Sequence, residues 1–329
     1  MKRLLLLLLA LSGCAGLGGV RVEALGVATQ KPSQVAAYLR VSDEGRPLTA
    51  LGPESFVVYE DDQALDAERI DARLLEPRLA AAHRTLLLVD NSAATDKGVR
   101  QELARAITMF VERVRAVEPI SVYAFDGGPE IRAVAEYPRA TDAPAPSAKR
   151  LAELAPADPS RNLNGAVQKA ALRLDALLAA DRQPIRVGTL VVFAGGPDLA
   201  GRVEPSSLRA TLDEREHAVI AIGIGEDAGT LREIARDGYF DAHSADTLSL
   251  AFEEAAHRVH ARYQQHYLFA YCSPARAGKR RLRLEVRLTG EDGATRSGEA
   301  QAEFDATGFS AGCEPNAPPR FESRAPGPR

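Results

Sequence analysis

Three sets of side chains in this sequence have types and spacings suited to chemistry. The first is Asp90-Asn91-Ser92, which closes the apolar run 85–89. A carboxylate and a hydroxyl so close together are hard oxygen donors, of the kind magnesium gathers in near-octahedral geometry while keeping several waters. The second is Glu253, His257 and His260, which share one face of a helix at i, i+4 and i+7. That spacing suits a surface metal site, and a solvated helix face accounts for it equally well. The third is Gly223-x-Gly225, followed by Gly229 one residue too late for a phosphate-binding GxGxxG turn. Tight packing at a strand end is the better reading of those glycines. Ser92 as a nucleophile would need a base. No His falls in the loops expected around it, and there is no G-x-S-x-G elbow. The side chains point away from an enzyme.

Asp90 needs a frame, and the flanking pattern supplies one. A short, wholly apolar run such as 85–89 reads as a strand buried on both faces of a parallel sheet. Ligands of open α/β sheets bind beyond the carboxyl ends of such strands, where Asp90 and Ser92 would stand. Residues 98–117 follow with an apolar stripe at Val99, Leu103, Ile107, Phe110, Val111 and Val114, the 3.6-residue period of a helix. A hairpin over 120–125 and 131–137 turns at Asp126-Gly127-Gly128, and a Pro-rich loop lies at 142–146. Helix 163–178 carries Ala166, Val167, Ala170, Leu174 and Leu177 on one side. Buried strands are predicted at 187–193 and 218–224, with helices at 207–216, 231–236 and 247–263. Alternating strands and helices imply a doubly wound, mainly parallel sheet covered on both faces.

The flanks read differently. Strands are predicted at 22–28, 35–41, 56–59 and 67–75 within an N-terminal region 21–77. Three more, at 266–271, 281–288 and 298–304, fall within a C-terminal region 264–313. Together they make the strand complement of an immunoglobulin-like sandwich. One β-sandwich built from both ends, with the α/β domain inserted, is therefore expected; the alternative is two separate small β units. Residues 314–329 (EPNAPPRFESRAPGPR) are Pro-rich and poor in apolar residues, which predicts disorder. The net charge is −4, from 41 Lys+Arg against 45 Asp+Glu, well mixed, so no nucleic-acid footprint appears. Six His and three Cys are too scattered for a zinc framework.

Over 84–263 the chain resembles the von Willebrand factor type A family, on DNS at Asp90, RNLNGAV at Arg161, VVFAGGPD at Val191 and AIGIGEDAGTLREIA at Ala221. Residues 39–61 likewise resemble the β-sandwich leader that precedes this domain in bacterial secreted proteins. The resemblance implies a Rossmann-like fold and a magnesium adhesion site built from Asp-x-Ser-x-Ser, a Thr and a second Asp. This sequence departs from that set. Asp90 and Ser92 match, but Ala94 stands for the second Ser, Arg161 for the Thr (or Ser160 if the register slips by one), and Gly195 for the second Asp. A divalent ion beside a guanidinium, with a single protein carboxylate, lacks charge compensation. The site is therefore expected to be degenerate and without metal, with Arg161 paired to Asp90 in place of the ion. Loops 91–97, 158–164 and 194–202 become the candidate partner surface, with Asn91, Asp96, Asn162, Asp198 and Arg202 as contacts.

The start of the chain, Met1-Lys2-Arg3 followed by the apolar run 4–11 and Ser12-Gly13-Cys14, has the form of a secretory signal too short to span a bilayer. It resembles a bacterial lipoprotein signal, which implies that 1–13 is removed and Cys14 is lipidated; the alternative is an ordinary signal peptide with a chance Cys. A tether over 14–20 would then keep the folded part near the membrane. Ala15, in place of an inner-membrane-retaining Asp, points to the outer membrane of a Gram-negative cell envelope. With Cys14 taken by lipid, Cys272 and Cys313 remain as an even pair in an oxidising compartment and are expected to form a disulfide, two free thiols being the alternative. The resulting expectation is a non-enzymatic, lipid-anchored envelope protein that binds a protein partner without a cofactor. Two alternatives stand beside it. One is metal-dependent adhesion through a residual Asp90/Ser92 site holding Mg2+; the other is a structural subunit or spacer of an envelope assembly.

Overall fold

The computed structural model describes residues 19–92, 97–140, 156–224, 229–290 and 293–322. The signal 1–13, Cys14, Ala94, Asp96, Gly225 and the loop 142–146 lie outside them.

The chain opens with β1 (Val20–Gln30), β2 (Gln34–Asp43), β3 (Arg46–Pro47), β4 (Phe56–Glu60), β5 (Gln63–Ala64) and β6 (Arg73–Leu75). The expected strand over 67–75 shrinks to β6. Asp66 turns the chain there, its carboxylate accepting from Glu68 N–H and its carbonyl from Ile70 N–H, and Asp71 sits at φ 45°. The α/β part then runs β7 (Ala81–Asp90), α1 (Lys97–Arg115), β8 (Ile120–Phe125), β9 (Arg132–Tyr137), α2 (Leu163–Ala179), β10 (Ile185–Ala194), α3 (Pro205–Asp213), β11 (Ala218–Ile224), α4 (Gly229–Ile234), β12 (Gly238–Ala242) and α5 (Leu248–Gln264). The chain returns through β13 (His266–Cys272), β14 (Lys279–Thr289) and β15 (Thr295–Asp305). The edge strand β12 carries no apolar run, since all but Ala242 of its residues are only partly buried, and the sequence pattern does not reveal it.

The α/β sheet has the order β12-β11-β10-β7-β8-β9, parallel except for β9. Side-chain alternation divides its core in two. Leu87, Val89, Val191 and Phe193 face α1 and α5, whereas Leu86, Leu88, Leu190 and Val192 face α2, α3 and α4. β7 therefore reads as apolar without a break because both of its faces are covered. The chain passes from β7 to β8 on one side and reaches β10 on the other. This is the point of strand-order reversal, where crevices form at carboxyl ends.

The outer strands form one sandwich. One sheet runs β1-β2-β13-β6 with β3 beside β2, and the other runs β15-β14-β4-β5. Val35, Ala37, Leu39, Phe269 and Tyr271 point between the sheets. The opposite faces of β2 and β13, with Ala36, Tyr38, Leu268 and Ala270, pack against Ala80 and Ala81 at the base of the α/β domain. These two strands are thus covered on both faces, like β7. Cys272 at the end of β13 is disulfide-bonded to Cys313. Beyond the bridge, the disorder expected over 314–329 does not hold for residues 314–322. Gln34 Nε2 donates to the carbonyls of Glu314, Pro315 and Ala317 at 3.1, 3.0 and 2.9 Å. Phe321 packs near Gly26 and Ile185, so residues 314–322 form a strap that spans both parts of the molecule.

Candidate functional site

Three loops converge at the carboxyl edge of the α/β sheet: the end of β7, the approach to α2, and the segment after β10. Arg161 joins them. Its Nε donates to Asp90 Oδ2 at 2.5 Å, its Nη2 to Ser92 Oγ at 3.4 Å, and its Nη1 to the carbonyl of Pro197 at 3.1 Å. Its own carbonyl accepts from Leu199 and Ala200 N–H at 2.8 and 2.9 Å. Asp90 is just as fully used, with Oδ1 accepting from Ser92 N–H at 2.8 Å and Oδ2 also from Gly195 N–H at 3.0 Å. The side chains of Arg161 and Asp90 are 4% and 0% exposed, so this is a desolvated ion pair. Such a pair needs its remaining donors and acceptors satisfied, and the Ser92 hydroxyl with the backbone of Ser92, Gly195 and Pro197 does this.

The glycines after β10 follow from the same packing. A Cβ at Gly196, whose φ is 149°, would lie 2.9 Å from Arg161 Nη1, so the guanidinium takes the room a side chain would need. A side chain at Gly195 would begin 3.6 Å from Asp90 Oδ2 and 3.5 Å from Arg161 Nη2. A carboxylate there would compete for the space and charge that Arg161 now supplies. The structure thus brings Asp90, Ser92, Arg161 and Gly195 together.

The expected contact residues divide. Asn91 and Asn162 are only 5% and 2% exposed, and they are corrected from partner contacts to internal ties. Asn91 N–H donates to Phe125 O, and Asn162 caps α2 by accepting from Gly165 N–H while donating to Gly128 O. Asp198 accepts from Asn164 and Gly201 N–H, which fixes its carboxylate over the start of α2. Arg202 is 45% exposed and binds Gly127 O and Asp158. Asp158 also accepts from Ser160, and these bonds, with Arg202 beside it, hold its carboxyl below the usual carboxylate range.

Two residues of this region are not singled out by the sequence, although one lies in a predicted turn and the other in the candidate loop 194–202. Asp126, read there only as a hairpin turn, is 3% exposed and accepts from Gly128 and Ala157 N–H and from Arg132, which ties the β8–β9 turn to the loop before α2. Leu199, in the loop after β10, is 61% exposed at the rim. An Asp-Gly-Gly string announces a turn but not what its carboxylate will meet.

The remaining candidates resolve into packing. Arg113 donates to Glu253 Oε1 at 2.6 Å and lies 3.4 Å from His257 Nε2, placing a cation within the Glu253–His257–His260 face. No group of three or more potential metal ligands occurs among the described residues. Gly223 lacks a side chain because a Cβ there would come 2.1 Å from Tyr239 Oη.

Neither a family model nor a curated protein matches the chain. Among solved structures it is similar to proximal thread matrix protein 1 from the mussel byssus, at 16% identity and a TM-score of 0.44, over 54% of this chain and 48% of that one. It is also similar to a von Willebrand factor type A protein from Catenulispora acidiphila, at 11% identity and a TM-score of 0.43, over 89% of this chain and 74% of that one. A third is the pilus adhesin SpaC from Lactobacillus rhamnosus GG, at 10% identity and a TM-score of 0.42, over 86% of this chain and 47% of that one. The chain thus spans about half the length of the first of these, at 48%.

Proposed function

We propose that this chain is a lipid-anchored cell-envelope protein whose α/β domain binds a protein partner through its carboxyl-edge loops, without metal and without catalysis. The observation that carries this reading is the Arg161–Asp90 pair at 2.5 Å, both side chains buried. Asp90 is the carboxylate that the resemblance to the type A family would assign to the ion, and a guanidinium now satisfies it. Among the described residues of the rim, Arg202 and Leu199 are exposed, a surface suited to shape and charge complementarity with a protein. The lipid anchor rests on the lipoprotein-like start ending at Cys14, and the outer membrane on Ala15.

The test is the melting temperature of the intact chain in chelator and then in millimolar magnesium, calcium or manganese. An ion held only by the folded state at a hundredfold its dissociation constant would add about 2.7 kcal/mol. No shift is expected. A shift that Ser92→Ala abolishes would replace this reading with metal-dependent adhesion. Cross-linking in the intact envelope gives the partner arm. Arg202→Glu should lose the cross-linked partner, whereas a plain spacer would be unaffected by the substitution.

A further inference from the structure

The seam between the sandwich and the α/β domain holds a cluster of titratable side chains, buried except for the half-buried Tyr263, that the carboxyl-edge loops do not use. Tyr38 of β2 and His266 of β13 belong to the sandwich. His83 of β7, Glu118 before β8 and Tyr263 of α5 belong to the α/β domain. Tyr38 Oη lies 2.5 Å from His83 Nε2, and Glu118 Oε2 lies 3.8 Å from His83 Nδ1. Thr85 Oγ1 donates to Glu118 Oε1 at 2.5 Å. The rings of His83 and His266 are 5.0 Å apart, Tyr38 stacks on His266 at 5.8 Å, and Tyr263 meets His83 edge-on at 4.8 Å. His266 Nδ1 donates to Arg262 O at 2.8 Å, and its buried Nε2 finds no partner among the described residues. The nearby cations are engaged elsewhere, Arg262 with Asp237 and Arg40 with Glu23.

Two imidazoles this close, sealed from water and flanked by two arginines, resist protonation through desolvation and repulsion together. Burial holds His83 well below its ordinary range and His266 down to about 3. Burial pushes Glu118 up to about 7.

We propose that this cluster is a proton-operated clasp: acidification opens the seam between the sandwich and the α/β domain while each remains folded. Once exposed to water, the two histidines return towards 6.5 and Glu118 towards 4.5. Between those values the open form binds two protons on its imidazoles, while the closed form holds one on Glu118. Opening therefore takes up one net proton and becomes about tenfold easier per pH unit of acidification. The histidine contribution to closure is present above 6.5 and lost as pH falls. The Glu118 contribution is present below 4.5 and lost as pH rises through about 7. The clasp is tightest near neutral pH.

Hydrogen exchange of the intact chain, expressed as protection factors, tests this. The reporters are the amides of Val41, Leu79, Ala80 and Gln265, which bond within and beside the two connectors that join the sandwich to the α/β domain, residues 76–80 before β7 and Gln265 before β13. Leu190 and Val286 report the two cores. Connector protection should fall about tenfold per pH unit between pH 6.5 and 4.5, with core protection unchanged. His266→Gln removes a proton from the open form and should flatten the slope. Glu118→Gln removes the proton of the closed form and should steepen it to about a hundredfold per unit. A merely structural role would shift both curves without changing either slope. A flat wild-type curve, slopes unaltered by either variant, or connectors and cores losing protection together would each overturn the proposal; the wild-type curve alone decides it if a variant fails to fold.

Discussion

Arg161 neutralises Asp90, a carboxylate at the end of a buried strand, with a guanidinium supplied by the chain itself. Removing it leaves Asp90 at 1% exposure with only backbone N–H partners. Breaking one side of a buried pair costs about 3–5 kcal/mol, whereas replacing both members by apolar groups is often neutral. Arg161→Ala should therefore lower the unfolding free energy by that amount, read as a lower urea midpoint at an unchanged slope. Asp90→Asn in the same chain should restore part of the loss, since an amide leaves no uncompensated charge. An unchanged midpoint in Arg161→Ala would mean that the pair does not hold the loops.

At the scale of elements, the sandwich is closed on one side by the approach of β15 to β1. Gly298, in the middle of β15, lies so near β1 that a Cβ would sit 2.0 Å from the carbonyl oxygen of Val20. The obstacle is backbone, which cannot rotate aside as a side chain can. Gly298→Ala should separate the two strands and cost roughly 1–3 kcal/mol, as overpacking typically does. The measurement is the melting temperature, and an unchanged value would show that this seam gives freely. Helices and central strands were legible from apolar period because each has one or two buried faces. β12 and the strap over 314–322 were not. β12 is only half buried, and the strap is held where Gln34 meets the carbonyls of 314–317 and Phe321 packs near Gly26 and Ile185, contacts between distant segments that no local pattern encodes.

For the whole molecule, the disulfide between Cys272 and Cys313 closes a loop with a sequence separation of 41. In the chain-entropy model a loop of that length is worth about 3–4 kcal/mol. The pair Cys272→Ala and Cys313→Ala should lose about that much in urea unfolding, and should also free the strap, so that Phe321 leaves Gly26 and Ile185. Equal stability with and without the bridge would mean that Gln34 and Phe321 hold the strap unaided.

What the sequence determined by itself is whatever depends on residues near one another along the chain. The period of α1, the unbroken apolar run of β7 and the two-residue step from Asp90 to Ser92 are all of this kind. The departures at Arg161 and Gly195 were also legible, because a cation and a missing carboxylate can be read without coordinates. Only the tertiary structure decided which polar residues are buried. Asn91 and Asn162 look like surface amides in sequence and are internal ties, and Asp126 looks like a turn residue and joins two loops. His83 and His266 are 183 residues apart in the chain and 5.0 Å apart in the fold. Burial and pairing of charge depend on where distant segments meet, and that is set by the packing of the sandwich against the α/β domain.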